Sequence, residues 1–178
     1  MNLILIGYRG VGKSSVGREL AKRMKWDFVD SDDEIESRAG KSIAAIFADG
    51  GEQVFRDLES LVIEDLARRK QTVLAVGGGA VLRPANREAL RGSGRIVWLQ
   101  ADARTILERV AADDATASRR PNLTTSGGEA EIIELLNKRT PTYRQCADLA
   151  VDTVGRSPAE VAVEVVDRCA LVLETEPA

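Results

Sequence analysis

The chain of 178 residues contains no histidine and has two cysteines. Without an imidazole, a Ser-His-Asp hydrolase and a histidine-ligated metal centre are both excluded. Cys146 and Cys169 do not have the spacing of a metal site, and two residues cannot build a disulfide framework. This sparse use of cysteine is typical of a reducing cytosol.

Long apolar runs and a strong net charge are also missing. No apolar run approaches the ~18 residues that a membrane-spanning helix needs, and no signal-peptide pattern precedes the first apolar run at residues 3–6. A net charge of −3 provides no general basic field for nucleic acid or acidic membranes. We therefore expect a cytoplasmic protein that binds neither nucleic acid nor a membrane.

What the chain does have is a regular alternation of strand-length apolar runs and helical patterns. Continuous apolar runs are typical of parallel strands that are covered on both faces. The runs lie near residues 2–6, 27–30, 72–76, 95–99 and 148–152. The sequence therefore predicts one α/β domain over residues 1–178, a three-layer open sheet of about five parallel strands with helices on both faces. We expect the tail, residues 174–178, to be frayed.

Two helices are predicted in some detail. Within residues 57–68, apolar residues recur at helical spacing and should share one buried face; they are Leu58, Leu61, Val62 and Leu66. Near the end of the chain, Ser157 has the position of an N-cap, Pro158 of the first helical residue, and Glu160 of the capping-box acid. A helix over residues 158–173 follows from that pattern.

The glycine-rich octet Gly7–Ser14, GYRGVGKS, lies between the first apolar run and an amphipathic segment. Strand, glycine-rich turn and helix form the context that a phosphate-binding P-loop requires. The glycines let backbone N–H groups converge, and the helix N-terminus favours an anion. Lys13 can reach the β- and γ-phosphates, and the Ser14 hydroxyl can bind Mg²⁺. The octet therefore predicts binding of a nucleoside triphosphate.

The second strand ends in the acidic stretch Asp30-Ser31-Asp32-Asp33-Glu34. Ser31 and Glu34 have capping-box spacing, which predicts a helix beginning at Asp32. Both Asp30 and Asp32 would then lie at the carboxyl edge of the sheet, where open α/β sheets bind ligands. Asp30 could hold Mg²⁺ through water, and Asp32 could accept hydrogen bonds from substrate hydroxyls. The alternative is that these acids only cap the helix and complement its dipole.

Three glycines, Gly77, Gly78 and Gly79, follow the strand near residues 72–76. A loose turn would explain them, but glycines at a strand's carboxyl end more often mark the close approach of a ligand to the backbone. The strand does not end in the aspartate found in many P-loop proteins.

Residues 113–129 are polar and poorly periodic, and they contain Arg119 and Arg120 directly before Pro121. The segment could be a solvated surface loop. In a phosphoryl-transfer enzyme, a mobile arginine closes over the phosphates and stabilises transition-state charge. We therefore expect a lid at about residues 113–125. Arg56 and Arg139, taken alone, would be assigned as solvated helix arginines.

Taken together, these motifs resemble the shikimate kinase family, in the same order and over nearly the whole chain. The matching stretches are Gly7–Ser14, Val29–Asp32, Gly50–Arg56, Gly77–Ala80, Arg120-Pro121, Arg139 with Pro141 and Tyr143, and Val151–Thr153. The resemblance implies ATP-dependent phosphorylation of the 3-hydroxyl of shikimate, in the chorismate pathway to aromatic amino acids. It also implies a monomer.

The resemblance further implies roles for individual residues. Asp32 would orient the acceptor hydroxyl, Arg56 and Arg139 would hold the shikimate carboxylate, and the backbone of Gly77–Gly79 would line the same pocket. The ATP phosphates would be bound by the loop residues Gly10, Val11, Gly12, Lys13, Ser14 and Ser15. Arg120 would close on the phosphates, Arg109 and Arg156 would flank the adenine, and Ser14 and Asp30 would serve Mg²⁺.

The chain departs from the family pattern at Asn122, after Arg120-Pro121, and at Tyr8-Arg9, where Arg9 could add a charge near the phosphates. Two other functions stay open. A gluconate or nucleoside monophosphate kinase would have the same fold. A nucleotide-dependent switch module would be expected to contain Asn-Lys-x-Asp, whereas the chain has Asn137-Lys138-Arg139-Thr140.

Overall fold

The protein, described here from a computed structural model over residues 1–112 and 128–174, is built on one parallel sheet. The spatial order of the five strands is β2-β3-β1-β4-β5. In chain order they are β1 (Asn2–Ile6), β2 (Asp27–Asp30), β3 (Thr72–Ala75), β4 (Gly94–Gln100) and β5 (Leu149–Asp152). Each predicted apolar run is a strand, and the predicted open parallel sheet is confirmed.

Helices connect the strands and cover both faces of the sheet. They are α1 (Lys13–Met24), α2 (Ser31–Ala39), α3 (Ile43–Ala67), α4 (Pro84–Ser93), α5 (Ala103–Ala111), α6 (Gly128–Cys146) and α7 (Pro158–Glu174), with a short 3₁₀ helix over Ala80–Leu82. The helix α3 is broken internally at Gly51, whose φ of 71° and ψ of −175° are not helical. Among the described residues, no helix is long and apolar enough to cross a bilayer.

Alternate residues of each strand face two separate cores. Leu3 and Leu5 of β1 pack with α1, α5, α7 and the first half of α6 on one face, whereas Ile4 and Ile6 pack with α2, α3, α4 and the end of α6 on the other. Because a strand's side chains alternate between its faces, a continuous apolar run supplies both cores at once.

Two local predictions were wrong. Leu61 is 60% exposed, while Val62 and Leu66 of the same helix are buried, so the apolar face is narrower than its spacing suggested. The helix α2 begins at Ser31, with Asp30 as the N-cap. The Asp30 side chain accepts the capping hydrogen bond from the Asp32 N–H at 3.0 Å, while the buried Ser31 hydroxyl accepts one from the Gly77 N–H at 3.0 Å.

The capping-box prediction for the last helix is confirmed. Ser157 N–H donates to Glu160 Oε2 at 2.8 Å, and Glu160 N–H donates back to Ser157 Oγ at 3.3 Å. Since both groups are satisfied reciprocally, the helix begins at Pro158 as predicted.

The parallel register brings the loops of interest to one edge. Ile6 pairs with Trp98, and Asp30 pairs with Ala75. The P-loop after β1, the acidic stretch after β2 and the glycines after β3 therefore leave the sheet side by side, at its carboxyl edge.

Candidate active site

The P-loop has a backbone conformation that requires its glycines. Gly7, Gly10 and Gly12 all have positive φ, at 137°, 79° and 93°. A Cβ at Gly7 would lie 2.4 Å from the Leu99 carbonyl oxygen, so this position is closed to a side chain. The loop lines a cleft of about 410 Å³, and the first turn of α1 carries no acidic residue to oppose an anion.

The P-loop lysine is held at the mouth of this cleft by its own loop. Lys13 Nζ donates to the carbonyl oxygens of Gly7 and Tyr8, both at 3.0 Å. The P-loop residues Gly10, Val11, Gly12, Lys13, Ser14 and Ser15 all line the same cleft.

Ser14 and Asp30 form the junction between the P-loop and β2. Ser14 Oγ donates to Asp30 Oδ2 at 2.6 Å, while Asp30 Oδ1 accepts from the Asp32 N–H at 3.0 Å. Burial raises the pKa of Asp30 above its ordinary value and the Asp32 charge adds to this, although the Ser14 hydrogen bond and Lys13 oppose it. The Asp30 carboxylate is thus a partly buried anion that a further cation would stabilise.

Asp32 lies in the first turn of α2 and lines the cleft together with Gly77 and Gly78. Asp30 is the helix cap, and it lines the cleft as Asp32 does.

Arg56 packs directly against the glycine loop. A Cβ at Gly79 would lie 2.6 Å from either terminal nitrogen of Arg56, so the guanidinium occupies the space that a side chain would need. Arg56 Nη1 donates to Glu59 Oε2 at 2.7 Å, and Arg56 Nη2 pairs with Glu52 at 3.3 Å. Burial alone would lower the pKa of Arg56, but pairing with Glu59 and Glu52 raises it overall. Arg56 therefore stays charged.

Glu59 is a residue that the sequence analysis missed. It is fully buried on α3, one turn beyond Arg56. Its i,i+3 spacing from Arg56 within an apolar face is the signal that could have found it, because a buried carboxylate needs a partner. Its carboxylate accepts a hydrogen bond from Arg56 and so restrains the Arg56 side chain.

Arg139 is buried on α6, whereas the sequence taken alone would assign it as a solvated helix arginine. Its Cζ lies 5.6 Å from the centroid of the Tyr8 ring, a cation–π contact. One turn later on α6, Tyr143 Oη donates to the Gly78 carbonyl at 2.5 Å. The helix that carries Arg139 is thus fastened to Gly78, and Arg56 packs on Gly79, so the glycine loop lies between the elements that supply the two arginines.

Arg109 and Arg156 line the opposite part of the cleft. Arg109 donates to Thr153 Oγ1 at 2.9 Å, to the Thr153 carbonyl at 2.7 Å and to the Gly10 carbonyl at 3.4 Å. Arg156 donates to the Asp152 carbonyl at 3.0 Å and pairs with Glu164 at 2.5 Å. These contacts join the P-loop to the segment after β5.

The predicted lid, residues 113–125, and its Arg120 lie outside the described residues. Among the described residues, no group of three or more histidine, cysteine, aspartate or glutamate side chains could hold a metal ion. Ser14, Asp30 and the cleft-lining Asp32 supply oxygen ligands alone, which suit a hard cation that a nucleotide also binds.

A P-loop at the carboxyl edge of this parallel sheet, in a cleft that Asp30, Asp32 and the glycine loop also line, defines a phosphotransferase of the P-loop class. A family model for shikimate kinase matches residues 9–170. The chain belongs to the shikimate kinase family.

Individual relatives agree with the family model. The chain is similar to a shikimate kinase of Rhodopirellula baltica, 45% identical over 92% of this chain and 88% of that one. It is 46% identical to a shikimate kinase of Pseudomonas putida, over 94% and 95% of the two chains. Its fold matches a shikimate kinase from Acinetobacter baumannii in complex with shikimate, with a TM-score of 0.90, 35% identity, and coverage of 98% and 95%.

Proposed function

We propose that this chain transfers the γ-phosphoryl group of ATP to the 3-hydroxyl of shikimate, giving shikimate 3-phosphate and ADP. The observation that carries the proposal is the placement of Arg56 and of the Arg139-bearing helix α6 against the glycine loop, next to Asp32 and the P-loop. A small hydroxylated carboxylic acid suits that set of side chains. Family membership supports the same substrate.

The donor half of the site would hold ATP by its phosphates. The backbone from Gly10 to Ser15 would surround them at the N-terminus of α1. Lys13 would leave the carbonyls of Gly7 and Tyr8 and donate to the β- and γ-phosphates. Arg109 and Arg156 would flank the adenine, and Arg120 would close on the phosphates from the proposed lid.

Ser14 and Asp30 would hold Mg²⁺ with the nucleotide. Their oxygens already meet at 2.6 Å, and burial makes the Asp30 carboxylate costly to ionise without a cation. When bound, the metal ion would neutralise charge on the β- and γ-phosphates.

The acceptor half of the site would bind shikimate by its carboxylate. A guanidinium binds a carboxylate through two parallel N–H donors, so Arg56 and Arg139 suit this group. The backbone of Gly77–Gly79 would line the ring. Glu52 and Glu59 would keep Arg56 in place, because both contact it from its own helix.

Phosphoryl transfer would follow by in-line attack. The shikimate O3 forms the new bond to the γ-phosphorus as the bond from that phosphorus to the β,γ-bridging oxygen breaks. Asp32 orients the hydroxyl and accepts its proton as the new bond forms. A strong base is not needed, because positioning and charge neutralisation dominate this reaction. The absence of histidine is consistent with that chemistry.

We also propose that residues 1–178 act as one monomeric domain in the cytoplasm. The large apolar side chains exposed among the described residues are dispersed over several elements. Light scattering coupled to size-exclusion chromatography tests the monomer, and fractionation of the source cells tests the compartment.

A coupled ADP-release assay tests the substrate. Purified protein with ATP and Mg²⁺ is offered shikimate, gluconate and nucleoside monophosphates in parallel. We expect turnover that depends on shikimate and on Mg²⁺. Turnover with gluconate or a monophosphate, and none with shikimate, would overturn the proposal.

A further inference from the structure

Tyr8 and Arg9 are two residues of the P-loop that its phosphate-binding geometry does not require. The glycines, Lys13 and Ser14 suffice to bind the phosphates. The Tyr8 side chain is 1% exposed, and Arg9 lies at the cleft. Both side chains reach the helix α6, on the acceptor side of the site.

Arg9 forms an ion pair with the beginning of α6. Arg9 Nη2 lies 3.6 Å from Glu131 Oε1, and the two side chains are 17% and 1% exposed. A carboxylate as buried as that of Glu131 is costly without a cation nearby. Arg9 therefore interacts electrostatically with the first turn of α6.

Tyr8 connects this ion pair to Arg139. Its ring centroid lies 5.6 Å from Arg139 Cζ and 5.9 Å from Arg9 Cζ. Guanidiniums at such distances are attracted to the aromatic ring. Burial raises the pKa of the Tyr8 hydroxyl, so the ring stays neutral at physiological pH.

The helix α6 carries both Glu131 and Arg139. Two helical turns separate them, which is about 12 Å along the axis at ~1.5 Å per residue. Arg9 contacts the first turn of this helix, and Tyr143 fastens it to Gly78 farther along. A shift of the first turn would move Arg139 relative to the glycine loop, because a helix moves largely as a rigid body.

We propose that Arg9 is a positioning residue for the acceptor half of the site. With Glu131 it fixes α6 against the P-loop, and through α6 and the Tyr8 ring it sets the place of Arg139. This inference rests on the proposed role of Arg139 in binding the shikimate carboxylate. It assigns the charge of Arg9 to shikimate binding, although the residue lies in the nucleotide loop.

Steady-state kinetics of Arg9→Met test the assignment. We expect the KM for shikimate to rise about three- to tenfold, with the KM for ATP within about twofold of the original. Arg9→Lys keeps a positive charge and should recover most of the shikimate KM. The matched control is Arg104→Met, which removes an exposed arginine paired with Glu108 on α5 and should change neither KM.

The partner variant separates the ion pair from independent effects. Glu131→Gln should raise the shikimate KM as Arg9→Met does, and the double variant should be no worse than the more impaired single variant. The double variant removes both charges of this ion pair, so it serves the test if a single variant fails to fold.

Two results would overturn the inference. One is a rise in the KM for ATP, with that for shikimate unchanged, in Arg9→Met or in the double variant. The other is a rise in shikimate KM in the double variant that equals the product of the rises in the two single variants. That result would mean that Arg9 and Glu131 act independently. Failure of the proposed function is a different result, since the unsubstituted protein would then show no turnover with shikimate.

Discussion

The guanidinium of Arg56 occupies the space where Gly79 would carry a side chain, with both terminal nitrogens 2.6 Å from an ideal Cβ. Arg56 is held there by the buried Glu59. The third glycine of the loop thus leaves room for a neighbouring protein side chain, and the ligand is not needed to explain it.

Gly79→Ala should therefore displace Arg56 and weaken shikimate binding. We expect the KM for shikimate to rise about tenfold or more while the KM for ATP stays near its original value, because the P-loop is not touched. The matched control is Gly92→Ala in α4, where an added Cβ meets nothing within 4 Å. Equal effects of the two alanines on shikimate KM would contradict the explanation.

Arg139→Ala tests the second arginine. If Arg139 binds the shikimate carboxylate, the KM for shikimate should rise by about 10²-fold, much more than that for ATP. Lys138→Ala, at the exposed neighbouring position on the same helix, serves as the control. A similar rise in both KM values for Arg139→Ala would argue that α6 had been disturbed as a whole.

Lys13→Met tests the donor half. The ammonium now bonded to the Gly7 and Tyr8 carbonyls would be lost, and with it a donor to the transferred phosphoryl group. We expect kcat to fall about 10²- to 10³-fold with an unchanged unfolding transition. Lys22→Met on the exposed side of α1 should retain full activity. Near-normal kcat for Lys13→Met would remove this residue from the mechanism.

Asp30→Asn tests the partly buried carboxylate through the pH dependence of stability. Burial raises the pKa of Asp30 in the folded protein above its unfolded value, so the folded state holds the proton more tightly. The charged carboxylate then costs stability as the pH rises through and above the ordinary aspartate range. Without ligands, Asp30→Asn should gain stability relative to the unsubstituted protein between about pH 4 and pH 7.

Asp102→Asn provides a control of opposite sign. Asp102 is an exposed N-cap of α5, and a hydrogen bond from the Thr105 N–H lowers its pKa. Its stabilising contribution is present above the ordinary aspartate pKa and is lost as the pH falls, so Asp102→Asn should lose stability at neutral pH. Urea unfolding at a series of pH values measures both variants, and the same pH trend in the two would refute the explanation for Asp30.

Much of the donor half could be predicted from local sequence. The octet Gly7–Ser14 has a glycine at each position where the loop adopts a positive φ, namely Gly7, Gly10 and Gly12. The capping box at Ser157 is equally local. Asp30 and Ser31 show the limit of local prediction. The cap is Asp30, one residue earlier than predicted, and the Ser31 hydroxyl bonds to Gly77 of another loop.

The acceptor half could not be derived from periodicity. Arg56 and Arg139 have the spacing of ordinary helix arginines, and only their buried neighbours distinguish them. Resemblance to a family supplied the assignment of both residues. Leu61 is the converse case, an apolar residue at a core-like spacing that the packing leaves exposed.

By itself the sequence determined the class of fold and the phosphate-binding loop, because strand runs, turn glycines and helix caps act over a few neighbouring residues. The tertiary structure decided which charged side chains are buried together. Glu59 lies under Arg56, Glu131 lies beside Arg9, and Tyr8 lies beside Arg139. In the last two pairs the partners are far apart in the chain, so only packing brings them close enough for their electrostatic interactions to matter.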